Sequence, residues 1–182
     1  MGVEEGYIKH GGPAHPGRKA REYALRLLAM SDRTVKELEE RLRAKGFPEE
    51  VVVEIVRDMT RLEYLDDEKL AVRFAEGCAE RRGIGPMRVR AELSRRGVPD
   101  SLIEHALRLA FDADRESAIA LASARTWLER HGPSSGEDLG AAKRRLCGFL
   151  VRRGFSLEVV ERALREVLGS LGGPEEDSTA LR

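Results

Sequence analysis

Residues 65–98, LDDEKLAVRFAEGCAERRGIGPMRVRAELSRRGV, read as a helix, a glycine–proline break, a second helix and a glycine stop. Asp66 and Asp67 suit the cap and first turn of a helix, where carboxylates face the positive end of its dipole. Leu70, Ala71, Phe74, Ala75 and Cys78 then recur at helical spacing and mark the face that turns inward. Gly83, Gly85 and Pro86 stop that helix, because the glycines loosen the backbone and proline fits only the first turn of the next one. The second helix carries Val89 and Leu93 inward. It closes at Arg96-Gly97, a cation in the last turn followed by a residue that takes the left-handed conformation without strain.

That ending occurs three times. LRAKGFP (42–48), LSRRGVP (93–99) and LVRRGFS (150–156) align without a gap, their glycines 51 and 57 residues apart. Apolar positions also match at Leu38/Val89/Leu146 upstream and at Val52/Ile103/Val160, Ile55/Ala106/Ala163 and Val56/Leu107/Leu164 downstream. Helical spacing repeated at such a period marks a tandem array in which no unit buries its apolar face alone. The sequence therefore predicts an all-α chain of three three-helix repeats, residues 19–65, 66–112 and 113–169. Residues 1–18, rich in glycine and proline, are expected to be a flexible tail, and residues 170–182 an acidic one.

Composition agrees with thin helical layers. Of the 182 residues, 35% are charged and 5% aromatic, and no β-branched alternation suggests a strand. Neither a signal peptide nor a run of transmembrane length is visible, which points to a cytoplasmic protein with no membrane partner. Cys78 and Cys147 sit in helical patterns without a cysteine or histidine at ligand spacing, so both are expected to be small core hydrophobes. His10 and His15, in the tail, read as solvated rather than metal-binding.

Within the first repeat, Tyr23, Ala24, Leu27 and Leu28 line a helix from about Lys19. Ser31 or Asp32 is expected to cap the middle helix, and Pro48 with Glu49 and Glu50 opens the third. The third repeat opens at Asp112 and carries Ala118, Leu121, Ala122 and Trp127 on its first helix. Residues 131–136, HGPSSG, are an inserted loop that explains the longer second offset. Trp127, the only tryptophan, is either a stacking platform for a base or a packing anchor at a repeat interface; without flanking aromatics in its own helix the anchor is favoured.

No catalytic, cofactor-binding or metal-binding residues are expected. The chain has no nucleophile elbow, no metal-ligand pair at helical spacing and no acidic pair in an apolar stretch. Gly83-Ile84-Gly85-Pro86 lacks the preceding strand and the lysine of a phosphate loop. His105 has no identifiable partner in the sequence to orient it.

The net charge of zero conceals a pattern. The three middle-helix windows, residues 34–45, 85–96 and 142–153, carry +1, +3 and +5, while the third-helix windows 48–60, 99–111 and 156–168 carry −3, −1 and −1. Arg88 and Arg95 share a stripe off the buried edge of their helix, and Arg145 and Arg152 repeat it one unit later. Such a stripe attracts phosphates or an acidic protein surface, or else is a solvated face paired with nearby acids. A DNA-reading helix-turn-helix would place basic contacts on the helix after the turn, and here those helices are acidic.

Phe74-Ala75, the run Arg81-Arg82-Gly83-Ile84-Gly85-Pro86-Met87-Arg88-Val89, Glu92-Leu93 and Arg96-Gly97-Val98, with Tyr23-Ala24-Leu25 upstream, resemble the bacterial RecX family over residues 20–168. Ile84 stands where an aromatic is common, and the loop at 131–136 is unusual. The resemblance implies an elongated, curved solenoid and a non-enzymatic, monomeric regulator that lies in the groove of the RecA filament on single-stranded DNA. It implies limited filament growth and suppression of RecA's ATPase, strand-exchange and co-protease activities. DNA would be touched weakly or through the filament. The alternative is a general binder of single-stranded nucleic acid that competes for DNA. The arginines expected to face filament or DNA are Arg81, Arg82, Arg88, Arg95, Arg96, Arg145, Arg152 and Arg153.

Overall fold

The computed structural model describes residues 16–132 and 139–169, and every regular element among them is helical. The chain divides into two compact units between Asp66 and Asp67. The first holds α1 (Pro16–Met30), α2 (Val35–Ala44) and α3 (Glu49–Arg61). The second holds α4 (Asp67–Gly77), a π-helical turn (Cys78–Arg82), α5 (Pro86–Arg95), α6 (Asp100–Ala110), α7 (Ala113–His131), α8 (Leu139–Arg153) and α9 (Leu157–Gly169).

Three successive triplets of helices each enclose a core of their own, so each unit buries its apolar face within itself, contrary to the expectation drawn from the repeat period. Val52, Ile55, Val56 and Met59 of α3 bury one stripe, and α6 and α9 repeat it with Ile103, Ala106, Leu107 and Ala110, and with Val160, Ala163, Leu164 and Val167. The middle helices contribute the fully buried pairs Leu38 and Leu42, Val89 and Leu93, and Leu146 and Leu150. Each such leucine is worth about 1.5–3 kcal/mol of transfer free energy. Small residues on the first helices, Ala20 and Ala24 in α1, Ala71 and Ala75 in α4, Ala120 and Ala124 in α7, let the helices approach closely.

The recurring glycine is the same device in each triplet. Gly46, Gly97 and Gly154 have φ of 88°, 82° and 86°. Their N–H groups donate to the carbonyls of Arg43, Ser94 and Val151 at 2.9 Å, and those of Phe47, Val98 and Phe155 reach back to Leu42, Leu93 and Leu150 at 3.3, 3.1 and 3.4 Å. This paired pattern satisfies helix-end carbonyls and drops an apolar residue onto the core just past the stop. Phe155, 2% exposed, is the most buried of the three and among the largest buried side chains.

Several expectations need correction. The cap of α2 is neither Ser31 nor Asp32 but Thr34: its hydroxyl accepts from the Glu37 N–H at 3.1 Å, and the Glu37 carboxylate accepts from the Thr34 N–H at 3.0 Å. A capping box needs an acid three residues on, and Thr34 has it. Helix α1 starts at Pro16, three residues before Lys19, with proline in the first-turn position it tolerates. Helix α4 does not run to the glycines. It widens into the π-helical turn at Cys78, and Gly83 at φ 55° closes that turn. Gly85 is extended, at φ −79°. On α7 the fully buried positions are Ala120 and Ala124, whereas Ala118 and Ala122 are exposed. An alanine-rich helix of 19 residues leaves its phase ambiguous. His105 does have a partner, the Glu68 carboxylate of α4 at 3.4 Å. The glycine-rich start, His10, His15, residues 133–136 of the loop and the acidic end lie outside the described residues.

Candidate interface of the second and third repeats

Within the second unit the two repeats meet through backbone. The Gly85 N–H donates to the Arg153 carbonyl at 2.8 Å, and the Met87 N–H to the Gly154 carbonyl at 3.0 Å. The turn after the π-helical segment thus docks on the glycine stop of α8. A Cβ on Gly85 would fall 2.4 Å from the Gly154 carbonyl oxygen, and one on Gly154 would fall 2.4 Å from the Arg88 nitrogen. Close approach of two backbones, not positive φ, is what requires glycine at 85.

Two of the expected arginines strengthen this joint. Arg88 Nη1 donates to the Arg152 carbonyl at 3.1 Å. Arg153 Nη1 donates to the carbonyls of Arg82 and Gly83, the latter at 3.2 Å, while its guanidinium lies 4.8 Å from the Phe149 ring centroid. The four-residue stripe is therefore not four equivalent exposed cations. Arg95 pairs with Glu92 of its own helix at 2.5 Å, and that hydrogen bond draws the Glu92 carboxyl below its ordinary range. Arg145 lies over the Trp127 ring at 5.8 Å. Arg82 and Arg96 flank the Phe74 ring at 5.9 and 6.0 Å, a pairing across the repeat that spacing alone did not reveal. Arg81 is exposed and folds over Gly77, where a Cβ would meet its Nη2 at 2.7 Å.

Beside the joint the π-helical turn and α7–α8 bound an open cleft of about 580 Å³. Its lining includes Arg81 and Arg82 of the π-helical turn, Ala118, Ala122, Trp127 and Arg130 of α7, and Phe149 of α8. Trp127 is tilted against Phe149 at 6.2 Å and stacked with His131 at 5.4 Å. The His131 Nδ1–H donates to the Trp127 carbonyl at 3.2 Å. Arg115 meets Glu80, the one carboxylate in the lining, at 3.2 Å. Sequence reading did not bring Arg115, Arg130, His131 and Phe149 together. The available signal was the exposure of two alanines opposite the buried face of α7, and it needed the helix phase to be visible.

Among the described residues no three of His, Cys, Asp and Glu are grouped to hold a metal ion, and no helix is long and apolar enough to cross a membrane. Cys78 is buried and burial pushes its thiol pKa up, while Cys147 is partly exposed; both are free thiols. Fold and site together define a class: an all-α tandem array of three-helix repeats. Three family signatures cover it in order: RecX, first three-helix domain, over residues 20–58; RecX, second three-helix domain, over 66–107; and RecX, third three-helix domain, over 119–164. The chain belongs to the RecX family, regulatory proteins rather than enzymes.

The Regulatory protein RecX of Amycolatopsis mediterranei (strain U-32) is 32% identical over 169 residues, 93% of each chain. That of Mycobacterium sp. (strain JLS) is 34% identical over 166 residues, 90% of this chain and 88% of its own. The homologue from Geobacillus kaustophilus (strain HTA426) is longer: at 32% identity this chain spans 65% of its length. The crystal structure of RecX from Lactobacillus salivarius has the same fold, with a TM-score of 0.74, 24% identity, and coverage of 85% of this chain and 98% of that one.

Proposed function

We propose that this chain is a cytoplasmic negative modulator of the RecA recombinase. It binds the RecA–single-stranded DNA filament as a monomer, limits filament growth and restrains the filament's ATPase, strand-exchange and co-protease activities. The observation that carries this reading is the match of all three repeats, in order, to the three RecX domains. The surplus of cations on α5 and α8 supports it, because a filament of protein and DNA presents phosphates and carboxylates to whatever lies along it. Arg81, Arg82, Arg88, Arg95, Arg96, Arg145, Arg152 and Arg153 face it, directly or by holding the second and third repeats together.

The test is RecA ATPase on single-stranded DNA that RecA has saturated before the chain is added, which separates action on the filament from competition for free DNA. Inhibition is expected to persist in that order of addition. Changing Arg95, Arg145 and Arg152 together to Ala should weaken it and flatten its salt dependence, since fewer counterions are released on binding. Substituting Arg57, Arg108 and Arg165 in α3, α6 and α9 should matter much less. Full inhibition by the triple variant across a salt series would show that these cations are only solvated surface.

A further inference from the structure

The cleft beside the repeat joint carries chemistry that a filament-facing surface does not require. Its lining holds Arg81, Arg82, Arg115, Arg130 and Arg153 against a single carboxylate, Glu80, and Glu80 is engaged by Arg115. Arg82 lies on Phe74, and Arg153 is tied to two backbone carbonyls. Arg81 and Arg130 line the same cleft, are exposed, and have no carboxylate within ion-pair distance among the described residues. Two cations left unneutralised at an open concavity favour a polyanionic group there.

The rest of the cleft suits what is attached to that group. Trp127 and His131 form a stacked pair, Phe149 is tilted against the indole and Arg145 lies over it, so the cleft places three aromatic rings beside its cations. Ala118 and Ala122, with no side chain beyond Cβ, leave room beside them. The volume of about 580 Å³ falls within the range of about 300–1,000 Å³ typical of small-ligand clefts. The π-helical turn that ends the α4 run also lines the cleft, and π-helical turns are rare and frequent at functional sites. Aromatic faces give a base a sequence-tolerant platform, and guanidinium groups hold the phosphate next to it.

We infer that this cleft binds one nucleotide unit, its phosphate on Arg81 and Arg130 and its base stacked on the Trp127–His131 pair. An acidic peptide would be served by the cations but would make no use of the aromatic surface. The chemistry is common to a unit of a single-stranded nucleic acid and a free nucleotide, and the test separates them. It involves no RecA, so its failure would leave the filament reading untouched.

Trp127, being the only tryptophan, reports on the cleft directly. The full chain is titrated with a short oligodeoxyadenylate, with AMP, with adenosine and with inorganic phosphate. Indole fluorescence is followed in each case, and anisotropy where the oligonucleotide is labelled. A saturable response is expected from the oligonucleotide or AMP, and at least tenfold weaker responses from adenosine and phosphate. A tighter response to the oligonucleotide assigns the site to a nucleic-acid strand, and an equal one assigns it to free nucleotide. The double variant Arg81→Ala/Arg130→Ala should weaken binding at least tenfold and flatten the log–log salt slope by about 0.7 for the oligonucleotide, the share of the one phosphate they hold. Ala122→Glu, at an exposed position, should abolish binding with helicity and melting unchanged. No response in either signal, equal responses to phosphate and AMP, or unaltered affinity in both variants would overturn the inference.

Discussion

Gly46 and Gly154 share a backbone conformation, φ 88° and 86°, but not surroundings. A Cβ on Gly46 would meet nothing within 4 Å, while one on Gly154 would press on the Arg88 backbone at 2.4 Å. Gly46→Ala should therefore cost only the left-handed conformation, about 1 kcal/mol, and Gly154→Ala clearly more, about 2–3 kcal/mol or above. Urea unfolding of the two variants checks the difference; equal losses would mean that the joint yields easily. The repeat of glycine was legible in the sequence because positive φ recurs at one place in a motif. The close approach was not, since it joins residues about seventy positions apart and leaves no local mark. The same limit explains Arg88: helical phase places it on the surface, but only the fold shows the Arg152 carbonyl it reaches. Likewise Phe149 becomes a neighbour of Trp127 only when α8 returns along α7.

At the scale of elements, apolar periodicity gave the helices, and their ends were less legible. Residue type alone does not single out Thr34 as the cap of α2, because Ser31 and Asp32 are equally good capping types. What decides is the acid at N3, Glu37. The π-helical turn was hidden because one extra residue in a helical run leaves the apolar pattern nearly intact. Ion pairs between helices were also invisible, as with Arg43 of α2, whose Nε and Nη2 donate to Glu49 of α3 at 2.9 and 2.7 Å. That bidentate bond is the main cause that holds the Glu49 carboxyl below its ordinary value of 4.5. A carboxyl with a lower pKa folded than unfolded stabilises the fold above the unfolded value, and loses that contribution as pH falls through the folded one. Glu49→Gln should thus be slightly less stable than the parent at pH 7, and the gap should narrow as pH falls below 4.5. The effect is small because the pair is exposed. A gap in urea midpoints that persists unchanged at pH 3 would show that the loss is not electrostatic.

At the scale of the molecule, tandem repeats are stabilised by their internal cores and by the interfaces between neighbours, so cooperativity depends on the joint. Between the second and third repeats that joint consists of two backbone hydrogen bonds, the Arg88 and Arg153 contacts to carbonyls, and the Arg115–Glu80 pair. The two repeats are expected to unfold as one. The chain carries a probe in each. Cys78 is 1% exposed in the core of the second repeat, with a thiol whose pKa burial raises, so it resists alkylation until that core opens. Trp127 packs in the third repeat against Phe149. With Cys147 changed to Ser, the urea dependence of Cys78 labelling and of Trp127 fluorescence should share a midpoint. Gly85→Ala acts first on the joint, since the atoms nearest its Cβ are those of the Gly154–Phe155 backbone, and it should split the midpoints by prising the repeats apart. Cys78 labelling that precedes the fluorescence change in the parent would show the second repeat opening alone. The backbone joint would then be a contact rather than the element that couples the two cores.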